Sequence, residues 1–163
     1  MTQQAASTVA SGQYVTLGID HEIFAVGVEY VHEILDVQHI TLVPNAPAYV
    51  LGMIDVRQRT VPVIDLRTRL GFPTAPTTQT ARIVVLDVEA EGRTITIGLL
   101  ADRVYEVSTL SEHEMEPPPD IGIRWRSDYI KGVGRRGESL VIVLDIGYLF
   151  SSEEAAQIET TLA

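Results

Sequence analysis

The segment that decides the fold is YVLGMIDVRQRTVPVIDLRTRL, residues 49–70, because the chain contains a second version of it. The second version is YIKGVGRRGESLVIVLDIGYLF, residues 129–150, and the two align without a gap at an offset of 80 residues. A tyrosine, a glycine and an aspartate recur at matching places between runs of Val, Ile and Leu. Self-similarity of this kind indicates an internal duplication.

The duplication extends upstream with one change of offset. Three residues of the first copy fall on three of the second at an offset of 73: Val31, Glu33 and Ile34 on Val104, Glu106 and Val107. The copies then cover about residues 14–71 and 82–150, and we interpret them as two small subdomains within a single domain, residues 14–150. Because a unit of about 60 residues has only a marginal core of its own, we expect the two units to share apolar surface.

Stretches of alternating apolar and polar residues, rich in Val, Ile and Thr, predict strands along the chain. Turn signals such as Asp20-His21 separate them, so antiparallel hairpins should dominate. The clearest helix signal is the capping box of Ser151 and Glu154, which predicts a C-terminal helix over residues 151–163. Residues 1–13 are expected to be a flexible leader. The predicted strands are residues 14–19, 23–28, 60–66, 82–88, 94–100 and 140–146.

The composition excludes several classes of protein. The 22 acidic and 12 basic residues give a net charge of −10, which disfavours binding to nucleic acid. The 163 residues include no cysteine, so disulfides and thiolate sites are excluded. No apolar run approaches the roughly 20 residues of a membrane span. We therefore expect a cytoplasmic protein that neither binds nucleic acid nor inserts into the membrane.

The sequence contains no recognisable catalytic or metal-binding arrangement. Residues 132–137 match the glycine pattern of a dinucleotide site, but a strand-like stretch follows where that site needs a helix, so a hairpin turn is the preferred interpretation. The histidines are too scattered to converge on a metal ion. Asp65 and Asp145 are interpreted as strand-end residues that accept backbone N–H bonds. We expect no enzyme, no cofactor and no metal site.

Two features point instead to a binding surface. Four of the twelve basic residues fall within thirteen positions of an otherwise acidic chain, where they are either ordinary solvated side chains or a patch that attracts a partner's carboxylates. In addition, strict alternation would place Val31 and Glu33 on one face of an extended segment, opposite His32 and Ile34. The four clustered residues are Arg57, Arg59, Arg67 and Arg69.

An ordered set of motifs resembles the CheW family of bacterial chemotaxis coupling proteins. Together these motifs span nearly the whole chain, and their combination is more specific than any one of them. In the first half they are FAVGVEYVHEI (24–34), PNAP (44–47), VLG (50–52) and VRQRTVPVIDLR (56–67). In the second half they are GLLAD (98–102), PPP (117–119) and YIKG (129–132).

The resemblance implies two packed five-stranded SH3-like β-barrels and a non-enzymatic adaptor. Such an adaptor links the cytoplasmic signalling tip of chemoreceptors to the regulatory domain of the histidine kinase CheA, in arrays beneath the inner membrane. An alternative is a CheW-like scaffold of another sensory pathway, such as one that controls surface motility. The implied receptor-binding residues are Val31, Glu33, Gly52 and Arg57, whereas the kinase-binding residues, on the second barrel, cannot be assigned.

One position departs from the family pattern. The family commonly has glycine immediately after the key arginine, whereas this chain has Gln58. A glycine takes positive φ easily, and Gln58 does so only at a cost. We therefore expect the loop around Arg57 to differ in shape from that of the family.

Overall fold

The computed structural model describes residues 11–90, 92–111, 115–117 and 129–150. The first strand begins within the predicted leader, and the predicted C-terminal helix, residues 151–163, lies outside the described residues. The strands are β1 (Ser11–Ile19), β2 (Glu22–Gly27), β3 (Val31–Asp36), β4 (Val50–Val56), β5 (Arg59–Asp65), β6 (Arg82–Ala90), β7 (Arg93–Ala101), β8 (Arg103–Ser111), β9 (Ile130–Arg136) and β10 (Ser139–Leu144). Short helices follow β5 and β10: α1 (Leu66–Arg69) and α2 (Ile146–Leu149). A 3-10 turn, Val28–Tyr30, connects β2 to β3.

The strands form two five-stranded sheets, which confirms the mainly β fold of two units. The strand orders are β8-β1-β2-β10-β9 in the sheet that we call barrel 1, and β3-β6-β7-β5-β4 in the sheet that we call barrel 2. Strands at matching places in the two orders are always five apart along the chain, as a duplicated five-strand unit requires. Among the described strands, six of the eight pairings are antiparallel, as predicted.

The two copies exchange strands, which corrects the predicted subdomains. The strands β1 and β2 of the first copy join β8, β9 and β10 of the second, and β3 to β5 join β6 and β7. The predicted subdomains, residues 14–71 and 82–150, are therefore the repeats but not the barrels. The exchange is fixed by two parallel pairings, β2 with β10 and β5 with β7. A repeat in the sequence cannot reveal this exchange, because equivalent strands of the two copies have the same residue pattern and could pair within either copy or between them.

Apolar side chains form three clusters among the described residues, and the largest lies between the barrels. The shared core contains 18 buried residues, drawn mainly from β1 and β2 of barrel 1 and β6 and β7 of barrel 2. Each barrel interior holds only five. The expectation that the two units share apolar surface is confirmed. The interior of barrel 1 is Tyr14, Ala25, Leu110, Val141 and Val143, and that of barrel 2 is Ile54, Val61, Val63, Ile83 and Val85.

The helices α1 and α2 begin at equivalent aspartates. The Asp65 carboxylate accepts a hydrogen bond from the Arg67 N–H at 3.1 Å, and that of Asp145 accepts one from the Tyr148 N–H at 3.2 Å. Such side-chain bonds satisfy N–H groups that the first helical turn leaves unpaired. The interpretation of both aspartates as strand-end acceptors is confirmed.

Two arginines of α1 connect the copies. The Arg69 guanidinium lies 5.4 Å from the ring centre of Tyr49 and 4.6 Å from that of Tyr129, and it donates to the Leu149 carbonyl at 3.0 Å. Tyr49 and Tyr129 are equivalent residues of the two copies, so one cation bridges them. The buried Arg67 guanidinium forms ion pairs with the carboxylates of Asp20 and Asp102, which lie at the ends of strands from opposite halves of the chain.

Because each barrel takes strands from both copies, we predict that neither half of the chain folds alone. Fragments 1–75 and 78–163 contain five strands each, but neither contains all five of one barrel. Each should lack a cooperative thermal transition, whereas an equimolar mixture should recover the β-type circular dichroism and the melting transition of the intact chain. A cooperative transition in either isolated fragment would contradict the strand exchange.

Candidate functional site

An irregular step in β3 determines where two of the predicted site residues point. The register of β3 against β6 shifts, so that Val31 lies opposite Leu86 and Glu33 lies opposite Val85. Leu86 belongs to the shared core and Val85 to the interior of barrel 2. Val31 therefore packs against the shared core, and Glu33 lies at the mouth of barrel 2. The expectation that Val31 and Glu33 share a face was wrong, because the extra residue of a β-bulge reverses the alternation.

Arg57 reaches Glu33 from the tight turn between β4 and β5. Its guanidinium donates to Glu33 Oε2 at 2.6 Å and to Oε1 at 2.8 Å, a bidentate ion pair. β3 and β4 are the two edge strands of the sheet, so the pair closes the seam of barrel 2. The Glu33 side chain is 16% exposed and that of Arg57 is 71% exposed. The largely buried Glu33 carboxylate thus fixes the orientation of the Arg57 guanidinium, and the other side of the guanidinium is exposed to solvent.

The ion pair changes the protonation equilibria of both partners. The hydrogen bonds from Arg57 and its positive charge lower the pKa of Glu33 below its ordinary value, against the opposing effect of burial. The same contacts raise the pKa of Arg57. Both groups are therefore ionised near neutral pH.

Further polar side chains surround the pair at the mouth of barrel 2, around a cavity of about 230 Å³. His32 lies 3.7 Å from Glu33 and 3.4 Å from Asp87, measured between ring nitrogens and carboxylate oxygens. The Thr96 hydroxyl donates to Asp87 at 2.7 Å and accepts from Arg59 at 3.1 Å. The sequence analysis missed Asp87 and Thr96, and only the pairing of β6 with β7 brings them together.

Gly52 is buried near the start of β4 and does not line this cavity. It is buried at a register shift in β4, with φ of 154°. A Cβ atom there would lie 2.1 Å from the Thr41 carbonyl oxygen, and Thr41 exchanges two backbone hydrogen bonds with Met53 at 2.8 and 2.9 Å. Only glycine permits this approach, which packs the segment before β4 against the hairpin that presents Arg57.

The four clustered arginines do not form one patch. Arg57 and Arg59 are exposed at the mouth of barrel 2, whereas Arg67 is buried in ion pairs and Arg69 stacks between tyrosines. Arg57 lies in a turn, Arg59 in β5, and Arg67 and Arg69 in α1. Because these elements run in different directions, residues that are close in sequence lie on different parts of the surface. Arg57 and Arg59 are the exposed members of the set, and Arg69 is half-buried.

An apolar groove of about 540 Å³ lies where α1 meets barrel 1. Its floor includes Phe24 and Ile142 of barrel 1 and Phe72, which follows α1. The rings of Phe24 and Phe72 meet edge to face at 5.9 Å between centres. The groove is a second surface, distinct from the charged mouth of barrel 2.

The structure also shows where the glycine pattern of residues 132–137 lies. Residues 132–136 belong to β9, and Gly137 lies in the turn to β10, so the hairpin interpretation of this glycine pattern is confirmed. Among the described residues, no group of three or more His, Asp or Glu is placed to hold a metal ion. In the same residues, no helix is long and apolar enough to cross a membrane.

Comparison with known proteins identifies the family. The CheW-like domain matches residues 13–154, nearly the whole chain. The chain belongs to the CheW family. A chemotaxis protein CheW of Treponema pallidum is 34% identical over 146 residues, which cover 87% of this chain and 84% of that protein. A chemotaxis protein CheW of Rhizobium meliloti is 30% identical and covers 94% of this chain and 97% of its own length.

A solved CheW structure has the same fold. The scaffolding protein TtCheW from Thermoanaerobacter tengcongensis superimposes with a TM-score of 0.75 at 26% sequence identity, over 88% of this chain and 90% of that one. The two five-stranded units of the present chain are therefore the two SH3-like barrels of the CheW fold. The resemblance drawn from the motifs is confirmed.

The turn that carries Arg57 is a tight hairpin turn, although Gln58 occupies the position where the family commonly has glycine. Arg57 and Gln58 have φ of 50° and 69°, the consecutive positive values of a type I′ turn. The loop is thus strained, since side chains with a Cβ are disfavoured in this region. In the equivalent turn of the second copy, Gly137 takes the positive φ and Glu138 does not.

We predict that Gln58→Gly stabilises the protein by ~0.5–1 kcal/mol, because relief of the strained φ exceeds the entropy that glycine adds to the unfolded chain. For a chain of this size, the melting temperature should rise by about 2–4 °C per kcal/mol. The matched control is Glu138→Gly, which relieves no positive φ and should leave the melting temperature unchanged or lower it. A lower melting temperature for Gln58→Gly would contradict the assigned strain.

We also predict that the Glu33 carboxyl titrates below its ordinary pKa range and returns to that range in Arg57→Gln. Carbon-13 NMR of the side-chain carboxyl measures this directly, with Arg135→Gln as the control. Because the folded pKa of Glu33 is depressed, the pair stabilises the protein above the unfolded pKa, and this contribution is lost as the pH falls through the folded pKa. An unchanged Glu33 titration in Arg57→Gln would rule out the pair in solution.

Proposed function

We propose that this protein is a non-enzymatic adaptor that couples chemoreceptors to the histidine kinase CheA at the cytoplasmic side of a receptor array. The observation that carries the proposal is the exposed face of Arg57, held in one orientation by Glu33. An oriented guanidinium can form bidentate bonds with a carboxylate of a partner at little entropic cost. The receptor's cytoplasmic signalling tip is the partner proposed for this site.

The four predicted receptor-binding residues have different roles in this proposal. Arg57 contacts the receptor, and Glu33 orients Arg57 and carries charge at the mouth of barrel 2. Gly52 supports the β4–β5 hairpin from below. Val31 anchors β3 to the shared core, so a polar residue at that position would destabilise the fold rather than act on binding alone.

The regulatory domain of CheA is proposed to dock elsewhere, on apolar surface contributed by the second copy. The apolar groove, which residues of both copies line, includes Ile130, Ile142 and Leu144 of the second copy. It supports the presence of such a surface but does not assign its residues. Because the charged mouth of barrel 2 and the apolar groove share no lining residue, the two binding events should be separable by mutation.

We predict that Arg57→Asp weakens binding to a receptor signalling fragment at least tenfold, about 1.4 kcal/mol, because it replaces attraction with repulsion at the contact. Binding to the CheA regulatory domain should stay within twofold of wild type. Titration calorimetry against each partner measures both affinities, and thermal melting checks the fold. The matched control is Arg135→Asp, an exposed arginine of β9 with the same change of charge.

A variant in which the charges of Glu33 and Arg57 are exchanged distinguishes direct contact between Arg57 and the receptor from an indirect role of the ion pair in supporting the turn. The double variant Glu33→Arg with Arg57→Glu restores an ion pair across the seam but reverses the exposed charge. If Arg57 contacts a receptor carboxylate, the exchange should not restore binding. Full recovery in the double variant, or unchanged receptor affinity in Arg57→Asp, would move the receptor site elsewhere, and loss of both partners together would indicate misfolding.

A further inference from the structure

The apolar groove where α1 meets barrel 1 continues along the outer face of β10. Val141 and Val143 point into the interior of barrel 1, so Leu140 and Ile142 face the other way, and Ile142 and Leu144 line the groove. Leu140 lies beyond the groove, towards the turn between β9 and β10, and is 54% exposed. The side chains of Leu140, Ile142 and Leu144 thus form an apolar strip about 13 Å long, at roughly 3.3 Å per residue. A contiguous apolar surface of this kind indicates a contact site.

The chain leaves the described part of the structure beside this groove. Phe150, the last described residue, is buried in the shared core and anchors the end of α2. The carbonyl of Leu149 accepts a hydrogen bond from Arg69 at 3.0 Å, and Arg69 lines the groove. Residues 151–163 therefore start at the rim of the groove, within reach of the strip on β10.

The sequence of this segment, SSEEAAQIETTLA, suits a helix that covers an apolar strip. Ser151 and Glu154 form the capping box of the predicted helix. Ala155, Ile158 and Leu162 follow at spacings of three and four residues, which places them on one face of that helix. These three residues span about 10 Å at 1.5 Å per residue, close to the length of the strip on β10.

The charges of the segment and of the strand beside the strip are complementary. The segment contains three glutamates and no basic residue, whereas the exposed Arg135 of β9 lies opposite Leu140. The match to the CheW-like domain ends at residue 154, so the apolar positions of the segment lie outside the family model. The three glutamates are Glu153, Glu154 and Glu159.

We propose that residues 151–163 form an amphipathic helix that lies along the apolar groove and covers the strip on β10. Ile158 and Leu162 pack against Ile142 and Leu140, which removes apolar surface of both elements from water. Because the segment is tethered at Phe150, its effective concentration at the groove is high. A partner that binds in the groove must first displace the helix. The inference concerns contacts within one chain and does not depend on the proposed function.

The lack of cysteine in the chain allows a single spin label to test this contact. Thr160→Cys, on the polar face of the predicted helix, carries a nitroxide in the full chain, and methyl NMR measures the paramagnetic broadening. The methyl signals of Leu140 and Ile142 should broaden strongly, whereas those of Ile54 and Val61 inside barrel 2 should not. Absence of selective broadening, or strongest broadening at another face of the protein, would overturn the inference.

Two variants of the labelled chain test whether the apolar face makes the contact. Ile158→Asp should abolish the broadening of the groove methyls, whereas Gln157→Asp, with the same charge change on the polar face, should retain it. An apolar dye should fluoresce more strongly with Ile158→Asp than with wild type or Gln157→Asp, because the groove is then open. Thermal melting checks that both variants remain folded. Broadening that persists in Ile158→Asp would contradict the proposed contact.

A mixed sample distinguishes contact within one chain from contact between two copies. Spin-labelled protein without carbon-13 is mixed with carbon-13 methyl-labelled protein that has no spin label. The groove methyls should show no broadening in this mixture. Broadening would show that the segment occupies the groove of a second copy, which would overturn the inference.

Discussion

The exchange of strands through one shared core is the constraint on which the rest of this structure depends. With only five buried side chains inside each barrel and 18 between them, most of the apolar burial that stabilises the described part of the chain belongs to neither barrel alone. Arg69, between the equivalent tyrosines, and Arg67, bonded to carboxylates from both halves of the chain, fix the same junction with polar contacts. The two barrels are consequently joined through one continuous core.

The β-bulges allow a strand that packs in the core to place a charged side chain at the mouth of a barrel. A regular strand that buries Val31 in the shared core would also point Glu33 towards that core, where an unpaired carboxylate is unfavourable. One extra residue, His32, turns Glu33 to the barrel mouth, where Arg57 from the opposite edge strand can reach it. The same step occurs in β8 with Tyr105. A core residue and an ion-paired residue thus lie two positions apart on one strand.

Sequence patterns predicted features that depend on neighbouring residues. They did not predict features that depend on contacts between residues distant in the sequence. Among the described strands, the alternating stretches located β1, β2, β5, β6, β7 and β10 and missed the edge strands β3, β4, β8 and β9. The strand-end positions of Asp65 and Asp145 predicted their backbone bonds, because these depend on neighbouring residues. The strand exchange was missed because duplicated strands are interchangeable by pattern. The bulge at His32 was not predicted, because an alternating pattern of apolar and polar residues does not show where a strand contains an extra residue. The contribution of Asp87 was missed because only the register of β3 against β6 brings it to His32.

The strained turn at Arg57 and Gln58 supports a functional reading of the site on energetic grounds. A residue with a Cβ in the left-handed region costs roughly 1–2 kcal/mol. The Glu33 carboxylate is largely buried, but its partner Arg57 is 71% exposed. The strained position therefore holds a guanidinium that lies mostly in solvent. Glycine at the same position would form the hairpin more easily, but it would leave no guanidinium at the mouth of barrel 2. Strained positions that persist in a fold cluster at functional sites, and the proposed receptor contact of Arg57 accounts for the strain at this turn.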